Sequence, residues 1–489
     1  MPIKKIFFGL LSAILFLLVI LFFNWMSLSK FQPDVEPVES IFDEDKQISE
    51  TLSQLIKFKT ISHIDASKSD SAVFAELLAY LKQRFPTVHE KLRSEKIGDK
   101  AILYTWQGSS TSLKPIMLVA HYDVVPNESG EWQHEAFSGH IDDEFVWGRG
   151  AMDDKSAIVA IFHAIEKLIE SDFSPQRSII LAFGGDEEIG GVSGAKKVTE
   201  HLLLKNVTPE FIHDEGMPIT DGIMKGVNKP VAMIGIAEKG FVNVKLIATA
   251  TEGHSSAPPQ KTAVGILANA ISKLEAAPMK ASITKPIALL FDTLAKDMAL
   301  PLGVVVSNRW LFESILTGQL EKQNSTNALI RTTMATTMIQ GSQQANVLPK
   351  TANAVINVRI LPGDSVDKVI TYIKKIIGDE AVNVSILGGS GEPSSVSSIA
   401  TVGYKAIANS ISQIYPDILV APSLLIAGTD SKHYKQLTEN IYRFRPLWIK
   451  KEDISRFHGS NERIGIENLQ QMTMFYYQLI TNASAIQVD

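Results

Sequence analysis

Three short apolar runs, each ending in a cluster of metal-ligand residue types, constrain this chain more than any other feature. Ile116, Met117, Leu118, Val119 and Ala120 form the first run, and Ile179, Ile180, Leu181, Ala182 and Phe183 the second; Phe211 and Ile212 make a shorter third. Apolar character that is continuous rather than alternating reads as strands buried on both faces. Between the first two runs, Ile158, Ile161, Phe162, Ile165, Leu168 and Ile169 recur at three- and four-residue spacing, the stripe of a core-facing helix. The alternation predicts an α/β fold with helices on both faces of a central sheet.

Each run stops at chemistry. His121 and Asp123 follow the first, Asp186, Glu187 and Glu188 the second, and His213, Asp214 and Glu215 the third. In open α/β sheets, ligands gather beyond the carboxyl ends of the strands. Asp153 and Asp154 stand where the helix begins, in Gly148-Arg149-Gly150-Ala151-Met152-Asp153-Asp154-Lys155. A single acidic pair at a strand end is usually a cap or a solvated turn, but three strand ends and a helix start are too many for that. Carboxylates packed together without a cation raise one another's pKa values and destabilise the fold, so the pattern points to a polynuclear metal site. The chain has no cysteine, which excludes disulfides, thiolate-held zinc, iron–sulfur clusters and thiol nucleophiles. Any transition metal is therefore held by His, Asp and Glu. Acids outnumber bases 53 to 47, so no nucleic-acid partner is expected.

The first thirty residues differ from the rest. Lys4 and Lys5 precede an uncharged run from Ile6 to Phe23. About twenty mostly apolar residues at ~1.5 Å each cover the ~30 Å hydrocarbon core of a bilayer. Residues 1–30 read as a transmembrane anchor; the competing reading, a cleaved signal peptide, usually has a shorter apolar region and a small-residue cleavage site, which is not evident here. The two lysines put the N-terminus in the cytoplasm and the rest of the chain on the periplasmic, extracellular or lumenal side. Residues 31–45, with Pro33 and Pro37 among Asp34, Glu36, Glu39, Asp43, Glu44 and Asp45, read as a tether. Residues 46–237 carry the α/β pattern.

Near Glu238 the pattern changes. Phe241 to Ala250 alternates as a strand, Thr262 to Leu274 reads as a helix, and Ala352 to Leu361 alternates again. Val366 to Ile377 follows as a helix and Ala381 to Leu387 as a strand. Residues 238–390 are thus expected to form a smaller α+β domain of ferredoxin-like type, inserted as a lid. The stretch Gly388 to Ser398 reads as a return linker. Residues 391–489, read as helix-rich, complete the first domain.

In order and spacing, His121-Tyr122-Asp123-Val124-Val125-Pro126, the Gly148 to Lys155 segment, Asp186-Glu187-Glu188, Asp214-Glu215-Gly216 and Phe457-His458-Gly459-Ser460-Asn461-Glu462 resemble the M20 metallopeptidase family. The resemblance covers about residues 45 to 480. Trp147-Gly148-Arg149-Gly150, Gly253-His254-Ser255-Ser256-Ala257-Pro258-Pro259 and Thr326-Asn327-Ala328-Leu329-Ile330-Arg331-Thr332-Thr333 look most like its carboxypeptidase S and N-fatty-acyl-amino-acid synthase/hydrolase subgroup.

The resemblance implies a zinc-hydrolase catalytic domain with two zinc ions bridged by Asp153. His121 and Asp214 would complete the shell of one ion, and Glu188 and His458 that of the other. A shell of His and carboxylates without thiolates suits a catalytic zinc, and a bridging carboxylate suits a two-metal hydrolase. Asp123 would hold the His121 tautomer, and Glu187 matches the family's general base. His254 matches a histidine that stabilises the oxyanion, often from a partner subunit, so a homodimer through the lid is allowed. Asn346 and Arg359 resemble residues that hold the substrate carboxylate, and Gly428-Thr429-Asp430-Ser431 resembles the loop beside it. The implied activity is hydrolysis of the amide bond in a dipeptide, a peptide C-terminus or an N-acyl amino acid, releasing an amino acid; condensation is the same reaction reversed. The alternative is a metal-stabilised binding domain without turnover. Glu187 argues against it, since a binder needs no base beside its ligands.

Overall fold

The strands that end in the acidic clusters lie side by side in one mixed sheet. The computed structural model describes residues 2–28, 32–43, 45–127, 130–224 and 226–485. In chain order the strands are β1 (Arg93–Ile97), β2 (Ala101–Trp106), β3 (Ile116–His121), β4 (Ile179–Gly184), β5 (Phe211–Thr220) and β6 (Val231–Glu238). A second sheet follows with β7 (Gly240–Thr249), β8 (Thr333–Gln340), β9 (Thr351–Ile360) and β10 (Val382–Gly391), before β11 (Leu419–Leu425) and β12 (Ile441–Ile449) return to the first. The central eight-stranded sheet runs β1-β2-β4-β3-β5-β12-β6-β11. From β4 to β12 it is parallel, with β3 beside β4 and β5 and β12 beside β5; β12 then meets β6 antiparallel, and edge strand β11 runs parallel to β6.

Helices cover both faces, which is why β3 and β4 are buried throughout. Ile116, Leu118, Leu181 and Phe183 face one core with the helices Lys46–Lys57, Lys155–Glu170 and Ile466–Ala485. Met117, Val119, Ile180 and Ala182 face the other with Ala195–Leu204. Each large apolar side chain so buried contributes about 1.5–3 kcal/mol.

The C-terminal part corrects the sequence reading. It supplies not only helices but β11 and the central β12, Ile-Tyr-Arg-Phe-Arg-Pro-Leu-Trp-Ile. Two arginines and a proline hide that strand from a search for apolar runs. Arg443 and Arg445 are nevertheless buried, because each pairs with buried acids.

In the second sheet all neighbours are antiparallel, in the order β8-β9-β7-β10. Ala263–Ala276 and Val366–Ile377 pack on it, giving the β-α-β-β-α-β succession of a ferredoxin-like unit. Strand β7 alternates buried and half-buried residues, as its sequence does. Strand β8 lacks that signal, because it is an edge strand with much of its length exposed. Before β8 the chain inserts the helices Lys285–Leu294, Leu300–Ser307, Arg309–Leu320 and Asn324–Ile330.

The N-terminal helix Pro2–Ser27 is long and apolar enough to cross a membrane, and its sides are largely exposed. Its end is seated on the inserted helices: Asn24 Nδ2 donates to Asn308 Oδ1 at 2.8 Å, Trp25 Nε1 to Ala295 O at 3.0 Å, and Asn308 Nδ2 to Leu21 O at 2.9 Å. Met1, residues 29–31 and Glu44 of the expected anchor and tether lie outside the described residues. Residues 32–43 form neither helix nor strand, yet they are held along the fold. The Gln32 amide exchanges two hydrogen bonds with the Val420 backbone on edge strand β11, Val38 N–H donates to Gln413 O at 3.0 Å, and Phe42 is buried.

Candidate active site

His121 is the last residue of β3 and lies opposite Gly184 of β4, so the loops after both strands leave on the same edge. Asp123 ties them together. Its carboxylate accepts the N–H groups of Glu187 and Glu188, each at 3.1 Å, and the Ser62 hydroxyl at 2.7 Å. Its Oδ1 lies 3.4 Å from His121 Nδ1, which directs Nε2 towards Asp153. One fully buried residue therefore sets both elements, its backbone carbonyl hydrogen-bonded to His121 Nδ1 at 3.0 Å and its carboxylate holding the turn that carries the two glutamates.

Asp153 stands between two groups of donors. One carboxylate oxygen is 3.0 Å from His121 Nε2 and the other 3.4 Å from His458 Nε2. Glu188 lies on the His458 side at 3.2 Å, and Glu215 on the His121 side at 3.4 Å. Donor atoms of His121, Asp153 and Glu188 fall within 4.8 Å of one another, as do those of His121, Asp154 and Glu215.

Asp214 is not where the sequence reading puts it. Its carboxylate accepts the N–H groups of Ser431 and Glu215, both at 2.9 Å, whereas the acid beside His121 Nε2 is Glu215, at 3.4 Å. The register of β5 against β12 shifts between Asp214 and Met217, so the two adjacent acids lie at an irregularity of the strand, and the local geometry decides which of them meets the histidine.

Two residues that the sequence reading left without a role shape the cluster. Arg445 pairs with Asp154 at 2.8 Å, with Asp153 at 3.3 Å and with Glu215, and it donates to Met152 O. Glu462 accepts Arg149 Nη1 at 2.6 Å and the N–H groups of Gly150, Met152 and Asp153 at 3.0, 2.8 and 3.2 Å. It thereby moulds the loop that presents Asp153. Gly150 takes φ 91° there, and a Cβ would meet Val124 and Lys155 at 3.0 Å, so glycine is required. His458 itself adopts a left-handed φ of 56°, a conformation kept where surrounding structure imposes it.

The electrostatics show surplus negative charge. Asp153, Asp154 and Glu215 share the guanidinium of Arg445, while Glu188 has His458 as its partner. Burial, then Glu215, pushes Glu187 well above the usual carboxylate range, and burial raises Glu188 to about 7. Burial also opposes ionisation of Asp153, but Arg445 and the two histidines hold it well below the usual range. Hydrogen bonds to Asp153 and Glu188 lift His458 to about 10. Glu188 Oε1 is buried without a hydrogen-bond partner. An acid-rich set of carboxylate and imidazole donors with an orphaned oxygen fits divalent cations of the zinc type.

Arg359 on β9 reaches across from the second sheet. Its Nη1 lies 3.8 Å from where a Cβ on Gly428 would be. Thr429 is buried, its N–H and hydroxyl both donating to Glu238 at 3.2 Å, and Arg443 Nε donates to the same carboxylate at 2.9 Å. Arg359, Gly428 and Thr429 are thus brought together. His254 and Asn346 are not brought to His121 within one chain. They sit beside each other on an exposed edge, where Gly253–His254 pairs with Val347–Leu348 and Ser255 N–H donates to Asn346 O at 3.1 Å.

Comparison with known proteins identifies the family and the fold. Residues 117–482 match the description of peptidase family M20/M25/M40. The chain is 41% identical over 491 residues to probable carboxypeptidase S-like 2 of Dictyostelium discoideum, covering 98% of this chain and 94% of that protein. It is 36% identical over 500 residues to an N-fatty-acyl-amino acid synthase/hydrolase of Danio rerio, covering 98% and 96%. The fold superposes on the crystal structure of an M20 family metallo-carboxypeptidase from Sulfolobus solfataricus with a TM-score of 0.69 at 19% identity, covering 90% of this chain and all of that one. With its acids gathered at the strand ends and relatives of this kind matching nearly its whole length, the chain belongs to peptidase family M20/M25/M40 and is a hydrolase.

Proposed function

We propose that this protein is a membrane-anchored, di-zinc hydrolase that releases an amino acid from an N-acyl amino acid, a dipeptide or a peptide C-terminus. The observation that carries it is Asp153, whose two oxygens face separate donor groups. His121, Asp153 and Glu215 would hold one zinc, and Asp153, Glu188 and His458 the other. When bound, the ions supply Lewis acidity for the scissile carbonyl. Glu187 takes a proton from the attacking water and passes it to the leaving amine. Asp123 fixes Glu187 and His121 relative to each other.

Arg359, with the Gly428-Thr429 loop, receives the substrate carboxylate; guanidinium geometry suits that task. Residues 46–237 and 391–489 make up the catalytic domain and 238–390 the lid. His254 and Asn346, exposed on the lid, complete the site of a second copy in a homodimer, with His254 facing the oxyanion. The Pro2–Ser27 helix anchors the protein with its catalytic part on the non-cytoplasmic side.

The test is turnover by the zinc-loaded full chain on N-fatty-acyl amino acids and on dipeptides, which also selects between those substrates. Glu187→Gln keeps size and most hydrogen bonds but cannot accept the proton. It should lower kcat by about 10²–10⁴ while zinc content stays at two per chain. Near-normal turnover by this variant would overturn the mechanism, and no turnover of any of these amides by the unmutated protein would favour a binding role.

A further inference from the structure

The inserted helices between the lid's first helix and β8 have no part in the site, and their outer surface is unusually apolar. Leu300, Trp310, Leu311 and Ile315 are 50%, 63%, 42% and 64% exposed. Between Leu300 and Leu320 the charged side chains are Arg309 and Glu313, and Arg309 is spent on Asp292 through contacts of 2.7 and 2.9 Å. On the inner side, Val306 and Leu316 are buried against Ile287, Leu290 and Leu294. The apolar outer residues are thus in excess of what the fold uses, and large apolar side chains gathered on two neighbouring helices mark an interaction surface.

What covers it follows from the N-terminal helix. The end of that helix is fixed to these same helices through Asn24, Trp25 and Leu21, and Lys296 Nζ donates to Met26 O at 2.8 Å. The approach is close: a Cβ on Gly303 would come within 2.8 Å of Trp25 Nε1. From Lys5 to Asn24 the helix rises about 29 Å at ~1.5 Å per residue, roughly the thickness of the hydrocarbon core. The Asn24–Asn308 contact therefore sits at the outer boundary of a bilayer entered at Lys5. Trp310, whose indole donates to Asn308 Oδ1 at 3.3 Å, is at that same level, where tryptophan is favoured.

We propose that the helices Leu300–Ser307 and Arg309–Leu320 form a second membrane contact, lying in the outer interface of the bilayer with Leu300, Trp310, Leu311 and Ile315 among the lipids. The inference rests on the anchoring reading above. One spanning helix leaves a domain free to swivel; a second, interfacial contact fixes which side faces the membrane.

The absence of cysteine makes the test direct. Single-cysteine variants Leu311→Cys and Ile315→Cys, with Leu15→Cys as the anchor control and Leu204→Cys as an exposed control outside the insertion, are spin-labelled in the full chain. The chains are then reconstituted in phosphatidylcholine vesicles. At positions 311 and 315 the ratio of collisions with oxygen to collisions with a water-soluble nickel chelate should rise severalfold above that at 204, towards that at 15. A lipid-like label at 15 with water-like labels at 311 and 315 overturns the interfacial contact and leaves the anchor standing. A water-like label at 15 overturns the anchor and the contact together. Spin–spin broadening at 315 assigns this face to a second copy of the chain and also overturns the proposal.

Discussion

Replacing Glu462 by glutamine should damage this protein although every proposed zinc ligand is kept. The Glu462 carboxylate is fully buried and accepts four hydrogen bonds, one from the Arg149 guanidinium and three from the backbone that presents Asp153. A glutamine can keep its oxygen towards Gly150, Met152 and Asp153. Its NH₂ group then faces Arg149, donor against donor, and the guanidinium, 2% exposed, loses its counter-charge. Breaking a buried pair in this way costs about 3–5 kcal/mol. Glu462→Ala should cost more, because buried N–H donors left unpaired add about 1–3 kcal/mol each. A chain of this size need not unfold in one step, so the assay is the thermal midpoint at fixed scan rate together with zinc content. Adding Arg149→Met to Glu462→Gln removes the stranded charge and should recover much of the loss. An unchanged midpoint and full zinc content for Glu462→Gln, or no recovery in the double variant, would refute the reasoning.

Glu215→Gln should lower zinc content measured by elemental analysis, whereas Asp214→Asn should leave it near two per chain, because Glu215 is the acid that faces His121. Arg359→Ala should raise KM about 10–100-fold for substrates with a free carboxylate, the equivalent of a charge-assisted hydrogen bond of about 1.5–3 kcal/mol, with kcat little changed and amidated substrates unaffected. Burial, with Arg84 adding to it, lowers His163 to about 3, so the folded state resists its protonation. Above the unfolded pKa of ~6.5 both states are neutral and nothing is lost; between there and pH 4.5 the unfolded chain gains the proton, costing about 3 kcal/mol. The thermal midpoint of His163→Gln should therefore fall less than that of the parent between pH 7 and pH 4.5, and parallel curves would count against the assignment.

The parts of the fold legible in the sequence are those where one physical demand acts alone. Strands β3 and β4 are apolar throughout because helices cover both faces, and Val366–Ile377 shows a clean stripe because only one face meets the second sheet. Where two demands meet, the pattern blurs. Strand β12 must lie in the core and also bring Arg443 and Arg445 to buried carboxylates, so its sequence does not look like a core strand. Asp214 and Glu215 are adjacent acids at a shift in the register of β5, and which of them lies against His121 is set by that local geometry, which neighbouring residue types do not reveal. Glu462 lies within a recognised motif, but its work is done on a loop more than three hundred positions earlier in the chain. A pairing signal existed for it, since a buried Arg149 requires an acid, yet several acids were equally eligible.

The chain leaves the central sheet at Glu238 and comes back so close to its point of departure that Ser394 N–H donates to Glu238 O at 3.0 Å. Everything between is a detour whose two ends touch. Such a detour can be lengthened, exchanged or deleted in a gene without re-threading the strands on which His121, Asp153, Glu188, Glu215 and His458 depend, for none of these lies within it. Arg359, His254 and Asn346 all do. The division leaves the proposed zinc ligands and Glu187 on the flanking stretches of DNA and Arg359, His254 and Asn346 on the stretch between, so that a lineage can replace the second group as a single cassette without disturbing the first.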